Sequence, residues 1–413
     1  MLLSSLLGAS SATTDKYVAV AQRVTASPSD IYTPTTPRLA IYPWHSGVGF
    51  GVPNLPPTTL SGNAISSVKF NTAKNVLAVG SGDWLTQHSY ASNVFCAYPW
   101  DNVTGALGTR FSSPSTWPNS TYGITQIEFS PSDDTVFLSS MSAPFILAYQ
   151  WSNTTGFGTK YSDPSSLPNI YQNYASVGFN RQLNLQVHPS GNCVAITTQS
   201  GTATNTPLFK AYPWSTATGF GTAYSNPVAA TAIYDNIFGL MFTPSGESLL
   251  TLGTGDNARS FDFYANGGGF SSSNYPILSP SGCEAKQRAI SNNAGDVIFF
   301  GNYNYYSYGS EKLVEAFSYT DSPFSLGTPF SSAVGMPTIS QQKWYNFTPQ
   351  PFYRLAIDPD DSTIFFSVCG AANLQVPKMY AFGWDNTSGW GAKYNDPSTF
   401  QSTQLCLDLA LSW

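Results

Sequence analysis

The chain has 413 residues, of which 42% are hydrophobic, 15% aromatic and 10% charged. Such an apolar fraction can bury a large core, and a formal net charge of −6 argues against a basic surface that binds nucleic-acid phosphates. The 34 glycines and 29 prolines are spread along the chain, which indicates short turns between short strands and an all-β fold.

The first predicted element is an apolar N-terminal arm over residues 1–16, ahead of the first predicted strand. It carries Leu2, Leu3, Leu6 and Leu7, which belong to no unit of the repeat that follows. The arm either docks onto a partner or folds back on the domain, and neither alternative is favoured. These four leucines are the predicted partner-binding residues.

A repeated unit fills residues 17–413. Its first signature is an aromatic strand that ends in an Asn/Thr/Gly turn, as in residues 145–158, and its copies are about 50 to 65 residues apart. This spacing slightly exceeds the ~40–50 residues of a four-stranded propeller blade. The seven aromatic anchors of these copies are Trp44, Trp100, Trp151, Trp214, Tyr264, Tyr319 and Trp384.

A second signature lies upstream of each later anchor. An apolar strand enters a Pro/Ser/Gly/Asp turn and a second apolar strand follows, as in residues 127–138, which is typical of a β-hairpin. The seventh copy, residues 409–413, has no hairpin partner after it, whereas residues 17–21 have the character of a second strand. We therefore predict that residues 405–413 pair with residues 17–21.

These signatures predict an all-β fold, a seven-bladed β-propeller of four-stranded antiparallel blades in which the C-terminal strand completes the first blade. The Pro-Ser-Gly and Pro-Ser-Asp turns, with the aromatic third strands, resemble the WD40-like and YVTN-like propeller families. The regular Gly-His and Trp-Asp signatures of WD40 proteins are missing. The Tyr-Pro-Trp and Thr-Gly-Phe-Gly motifs further resemble repeat proteins of tailed-bacteriophage virions.

Few residues indicate chemistry. His45, His88 and His188 have no metal-ligand spacing, and His188, aligned with Phe129 and Phe242, is predicted to lie in the core. Acidic pairs such as Asp133-Asp134 fall in the hairpin turns, so turn chemistry explains them better than calcium binding. We predict no catalytic, cofactor-binding or metal-binding residues and no cofactor.

Three further patterns are interpreted as structural. The five cysteines lie mostly in apolar runs and are predicted to be buried thiols. The anchor aromatics are predicted to pack between blades rather than to bind sugars. The Asn-x-Thr/Ser sequons follow anchor tryptophans, where Asn and Thr serve local hydrogen bonding.

The phage resemblance implies a non-enzymatic virion protein, a platform for protein docking or host-surface contact. Its partners would be other virion proteins or a host surface receptor, with no nucleic acid and no membrane insertion, and its location would be the virion. One alternative is a secreted or periplasmic propeller that binds glycans or peptides. Another is a hydrolase centred on the channel, for which the inner strands offer mainly Glu128 and Asp408.

Overall fold

The computed structural model describes the following residues: 16–25, 34–54, 65–81, 95–114, 123–140, 143–167, 184–197, 209–227, 237–253, 259–264, 268–276, 285–303, 311–339, 353–368, 379–397 and 404–413. Strands and turns make up these ranges. None of them contains a helix with the length and apolar character needed to cross a membrane.

Seven four-stranded antiparallel sheets form the seven blades of a β-propeller. From the axis outward, blade 1 is β30 (Gln404–Leu411), β1 (Lys16–Thr25), β2 (Pro34–His45) and β3 (Gly49–Phe50); blade 2 is β4 (Ile65–Phe70), β5 (Val76–Ser81), β6 (Phe95–Asp101) and β7 (Ala106–Leu107); blade 3 is β8 (Ile124–Phe129), β9 (Thr135–Ser140), β10 (Ile146–Ser152) and β11 (Gly156–Lys160); blade 4 is β12 (Leu185–Val187), β13 (Cys193–Thr197), β14 (Phe209–Ser215) and β15 (Gly219–Phe220).

The remaining blades follow the same plan. Blade 5 is β16 (Ile237–Phe242), β17 (Ser248–Gly253), β18 (Arg259–Tyr264) and β19 (Gly269–Pro276); blade 6 is β20 (Ala285–Ser291), β21 (Val297–Tyr303), β23 (Val314–Thr320) and β24 (Ser325–Pro329); blade 7 is β26 (Tyr353–Ile357), β27 (Thr363–Val368), β28 (Met379–Asp385) and β29 (Gly389–Lys393). A two-stranded ribbon, β22 (Glu311–Lys312) and β25 (Thr338–Ile339), accompanies blade 6.

The C-terminal strand closes the ring. β30 pairs antiparallel with β1, with Val18 opposite Leu411 and Ala21 opposite Asp408, and the Ser412 N–H donates to the Tyr17 carbonyl at 3.0 Å. The predicted pairing of the chain ends is therefore confirmed, and with it the seven-bladed fold. Because each end supplies the strand that the other lacks, blade 1 is completed without a local hairpin.

The turn between the first two strands has one geometry in blades 2 to 7. The N–H of its fourth residue donates to the carbonyl of its first, and the fourth residue has a positive φ. The first residues are Asn71, Ser130, His188, Thr243, Asn292 and Asp358, and the fourth are Lys74, Asp133, Gly191, Gly246, Gly295 and Asp361. Ser412 takes the first position in blade 1, so all seven inner strands share one register.

Aspartates at the fourth turn position join neighbouring blades. The Asp133 carboxylate accepts the backbone N–H groups of Thr72 and Ala73, each at 2.7 Å, from the turn of blade 2. Asp361 accepts the N–H groups of Asn293 and Ala294 of blade 6 in the same way, at 2.9 and 3.2 Å. The interpretation of these carboxylates as turn residues is confirmed, and we call this arrangement the turn latch.

Each anchor aromatic packs against the preceding blade. Trp384 of blade 7, for example, meets Phe299 and Phe330 of blade 6 edge-on, with ring centroids 4.6 and 5.0 Å apart. In blade 5 the predicted anchor Tyr264 is wrong: its side chain is 57% exposed, and Phe263 is the buried residue. Strand alternation places adjacent side chains on opposite faces, so the shift of one residue reverses the assignment.

The structure also places the other predicted structural residues. His188 is buried as predicted, but it occupies the turn position of Ser130 and Thr243 rather than that of Phe129. Asn153 and Asn386, in two of the sequons, accept hydrogen bonds from the indole N–H of Trp151 and Trp384 at 2.8 and 2.7 Å. These contacts agree with the local role that the sequence predicts for such asparagines.

Some predictions fall on residues that the structure does not describe. They include the N-terminal arm, so the role of Leu2, Leu3, Leu6 and Leu7 stays a prediction. Cys96, Cys193 and Cys406 are buried, as predicted. The two other cysteines, Cys283 and Cys369, lie outside the described ranges.

Candidate active site in the axial channel

A cavity of about 400 Å³ lies on the propeller axis between the innermost strands. Because the seven inner strands share one register relative to their turns, equivalent residues of the blades lie beside one another around this cavity. We define the first ring as the residues four positions before the turn, which are Ser67, Gln126, Asn184, Gly239, Arg288, Arg354 and Asp408. We define the second ring as the residues two positions before the turn, which are Lys69, Glu128, Gln186, Met241, Ile290, Ala356 and Ala410.

Arg354 and Asp408 form a largely buried ion pair in the first ring. The Arg354 Nε donates to Asp408 Oδ1 at 3.0 Å, and the two side chains are 10% and 11% exposed. Asp408 also accepts the backbone N–H groups of Val68 and Leu409, at 3.0 and 2.9 Å. Both carboxylate oxygens are therefore engaged, which fixes Asp408 and makes it the support of the Arg354 guanidinium.

The Glu128 carboxylate is held by the side chains of two other residues. Its Oε2 lies 2.6 Å from the Lys69 Nζ of blade 2, and its Oε1 accepts a hydrogen bond from Gln126 Nε2 at 2.9 Å. Gln126 is itself fixed by blade 4, because it donates to the Leu185 carbonyl and accepts from the Leu185 N–H. Each Glu128 oxygen has one such partner, whereas an ionised carboxylate can accept about four hydrogen bonds.

Arg288 adds a second guanidinium to the first ring, on the blade next to Arg354. Burial and then repulsion from Arg354 lower the pKa of Arg288 well below its usual value, while Asp408 and Glu128 act in the opposite direction. Arginine keeps its charge in proteins, so this balance describes a desolvated cation. The site therefore favours the binding of an anionic group.

The channel charges sum to a small positive excess. Lys69, Arg288 and Arg354 outnumber the two carboxylates, Glu128 and Asp408, among the residues that line the cavity. Within the described ranges, no three His, Cys, Asp or Glu side chains form a group suited to holding a metal ion. The chemistry that these residues can perform themselves is proton transfer at Glu128 and stabilisation of negative charge at the arginines.

Part of this site is predictable from the sequence. Glu128 and Asp408 were the two inner-strand candidates, and both line the cavity. Lys69, Arg288 and Arg354 were missed, although the two arginines stand directly before the hairpin signature: counting back four residues from each turn aligns both arginines with Asp408. That the chain has no catalytic residues stays a prediction.

Comparison with protein-family models and with curated protein sequences finds no match. Solved structures align with this chain over nearly its full length. A protein from Lactobacillus plantarum has a TM-score of 0.61 at 10% identity, covering 96% of this chain and 99% of its own. A putative 6-phosphogluconolactonase from Bacteroides uniformis has a TM-score of 0.60 at 10% identity, with the same coverage of 96% and 99%.

A periplasmic gluconolactonase from Pseudomonas aeruginosa aligns with a TM-score of 0.56 at 11% identity, covering 96% of this chain and 99% of its own. At such identities the likeness establishes the fold. Nothing in these comparisons supports the resemblance to phage virion proteins.

The prediction of a non-enzymatic virion platform is wrong, and so is the prediction that the chain is not an enzyme. Two of the neighbours are described as a putative 6-phosphogluconolactonase and a periplasmic gluconolactonase, and charged groups converge on the axis where the prediction expected few. The predicted partners and virion location are not addressed by these findings and stay predictions.

Proposed function

We propose that the protein is a lactone hydrolase whose active site is the axial channel. The observation that carries the proposal is the convergence of a fixed carboxylate, Glu128, with two guanidinium groups, Arg288 and Arg354, in one cavity. Hydrolysis of a lactone needs a base for water and a cation for the developing oxyanion. The likeness to structures described as a putative 6-phosphogluconolactonase and a periplasmic gluconolactonase supports this class of reaction.

In the proposed reaction Glu128 accepts a proton from a water molecule, and the oxygen of that water molecule attacks the lactone carbonyl carbon. The carbonyl oxygen becomes the oxyanion of a tetrahedral intermediate, which the guanidinium groups of Arg288 and Arg354 stabilise. Collapse of the intermediate breaks the ring C–O bond. The protonated Glu128 returns its proton to the departing ring oxygen, and the carboxylic acid formed releases its remaining proton to solvent. The product is a hydroxy acid whose carboxylate faces the arginines.

The remaining charged residues position this machinery. Asp408 holds Arg354 through a contact at 3.0 Å and is itself anchored by two backbone N–H groups. Lys69 and Gln126 each contact one oxygen of Glu128, which sets the direction of its free lone pairs. The contacts of Asp408 with Arg354 and Val68, and of Lys69 with Glu128, cross between blades, so the assembled propeller is required for the site.

The test is hydrolysis of glucono-δ-lactone, followed by acid release in a pH-stat and corrected for the rate in buffer. We expect Glu128→Gln to reduce kcat by about 10²- to 10⁴-fold, the usual contribution of general-base catalysis, at unchanged thermal stability. The matched control is Glu247→Gln, because Glu247 is an exposed carboxylate in the hairpin turn of blade 5. A wild-type rate equal to that in buffer for both glucono-δ-lactone and alkyl-substituted δ-lactones, or equal kcat for the two variants, would refute the proposal.

A further inference from the structure

The second ring is divided into a polar arc and an apolar arc. Blades 2, 3 and 4 place Lys69, Glu128 and Gln186 at this repeat position, whereas blades 5 and 6 place Met241 and Ile290 there. All five of these residues line the cavity. One channel therefore combines a charged side with an apolar side at the same height.

Blade 5 presents the apolar arc as a wall, in which Met241 lines the cavity and Gly239 occupies the first-ring position without a side chain. The Leu240 and Phe242 side chains lie on the opposite face of the strand, in the core between blades 4 and 5. In a ring of seven blades, blade 5 lies across the axis from blades 1 and 2, which supply Asp408 and Lys69. The apolar wall thus faces the charged groups across the cavity.

From this division we infer that the substrate carries an apolar substituent, so that the channel takes alkyl-substituted lactones in preference to sugar lactones. This inference rests on the proposed function. With the lactone group held between Glu128 and the arginines, the rest of a substrate that spans the cavity meets the blade 5 wall. Burying aliphatic carbon there is favourable, because apolar surface of both ligand and protein leaves water.

A polyhydroxylated substrate fits this wall poorly. The Ile290 side chain forms no hydrogen bonds, and the Met241 thioether is at most a weak acceptor. Sugar hydroxyl groups placed against them would lose their hydrogen bonds to water without replacement, which costs about 1–3 kcal/mol for each group. The wall therefore selects against a sugar and for an alkyl chain.

The experiment compares δ-hexalactone, δ-octalactone and δ-decalactone, whose alkyl substituents grow by two methylenes at each step. We expect KM to fall roughly three- to fourfold for each methylene that enters the cavity, and δ-decalactone to exceed glucono-δ-lactone in kcat/KM. Met241→Gln should flatten the dependence of KM on chain length. Met336→Gln, a partly buried methionine in blade 6 that does not line the cavity, should keep it.

Direct binding separates this inference from the proposed function. The Kd values of δ-hexalactone and δ-decalactone are measured by calorimetry on Glu128→Gln and on wild-type protein. Tighter binding of the longer chain without any hydrolysis would support the apolar contact and refute the lactonase activity. Hydrolysis with no chain-length dependence, or with the same dependence in Met241→Gln, would overturn the inference and leave the activity standing.

Discussion

The surfaces between blades and the surface facing the axis differ in how faithfully they keep the repeat. Between blades, the anchor position is always a buried aromatic, with Phe263 and Tyr319 replacing the tryptophan of the other five blades. At the axis, the first ring contains six residue types at its seven positions, from Gly239 to the pair Arg354 and Asp408. The scaffold is nearly symmetric and its channel is not.

Packing explains this difference. An anchor fills a space bounded by the preceding blade, so any smaller side chain leaves a cavity and loses contacts. First-ring side chains lie around the axial cavity, where side-chain volume is weakly constrained. Charged groups can be accommodated there if they find partners on other blades. Similarity among repeats thus indicates the core, and divergence at one repeat position indicates the site.

The largest effect is expected where the repeat is kept, at the anchor of blade 5. Phe263→Ala should destabilise the protein by about 3–5 kcal/mol, since it removes a buried ring that contacts Tyr224 and Phe242. Tyr264→Ala is the matched control, and we expect a change within about 0.5 kcal/mol because that ring is 57% exposed. Urea unfolding of both variants measures the difference, and similar losses would restore Tyr264 as the anchor.

The fold was predictable from local features. Hairpin turns and aromatic strands recur along the chain, and the missing partner of residues 409–413 indicated the closure that β1 and β30 now show. The one misplaced anchor, Tyr264, arose because Phe263 and Tyr264 are both aromatic and the burial of either one depends on strand register.

The site was less predictable because its contacts join residues far apart in sequence. Arg354 and Asp408 meet only when blade 7 lies beside blade 1, and Lys69 meets Glu128 only when blade 2 lies beside blade 3. The functional prediction followed the turn and anchor motifs, which report packing between blades. The anchor and turn residues of those motifs contribute none of the charged channel residues, so they supported the wrong function while supporting the right fold.

A smaller effect is expected at the turn latch, whose aspartate is present in the turns of blades 3 and 7. Asp133→Asn preserves the side-chain size and tolerates the φ of 55°, but it weakens the hydrogen bonds from Thr72 and Ala73. We expect a loss of about 1–3 kcal/mol in unfolding free energy, as for hydrogen bonds to a charged group.

The matched control for the latch is Asp360→Asn, an exposed carboxylate in the equivalent turn of blade 7. We expect this change to stay within about 0.5 kcal/mol. Equal losses in the two variants by urea unfolding would show that the contacts of Asp133 contribute nothing beyond an ordinary surface carboxylate.

The smallest effect is expected at His188, where blade 4 replaces the hydroxyl residue found at this turn position in blades 3 and 5. Burial lowers the pKa of His188, and the hydrogen bond between its Nε2 and the Gly246 carbonyl opposes this only in part. His188 therefore takes up a proton at a higher pH in the unfolded chain than in the native protein. Stability from this residue is present above the unfolded pKa of ~6.5 and is lost as the pH falls below it.

The thermal midpoint, measured from pH 7.5 to pH 5, isolates this contribution. His188→Gln should be less stable than wild type at pH 7.5, because ring contacts with Phe242 and Phe263 are lost, yet its midpoint should fall less steeply in acid. His45→Gln, which alters an exposed histidine, should retain the wild-type slope. A His188→Gln slope equal to that of the control would show that other groups cause the acid sensitivity and that this turn differs from its neighbours in packing alone.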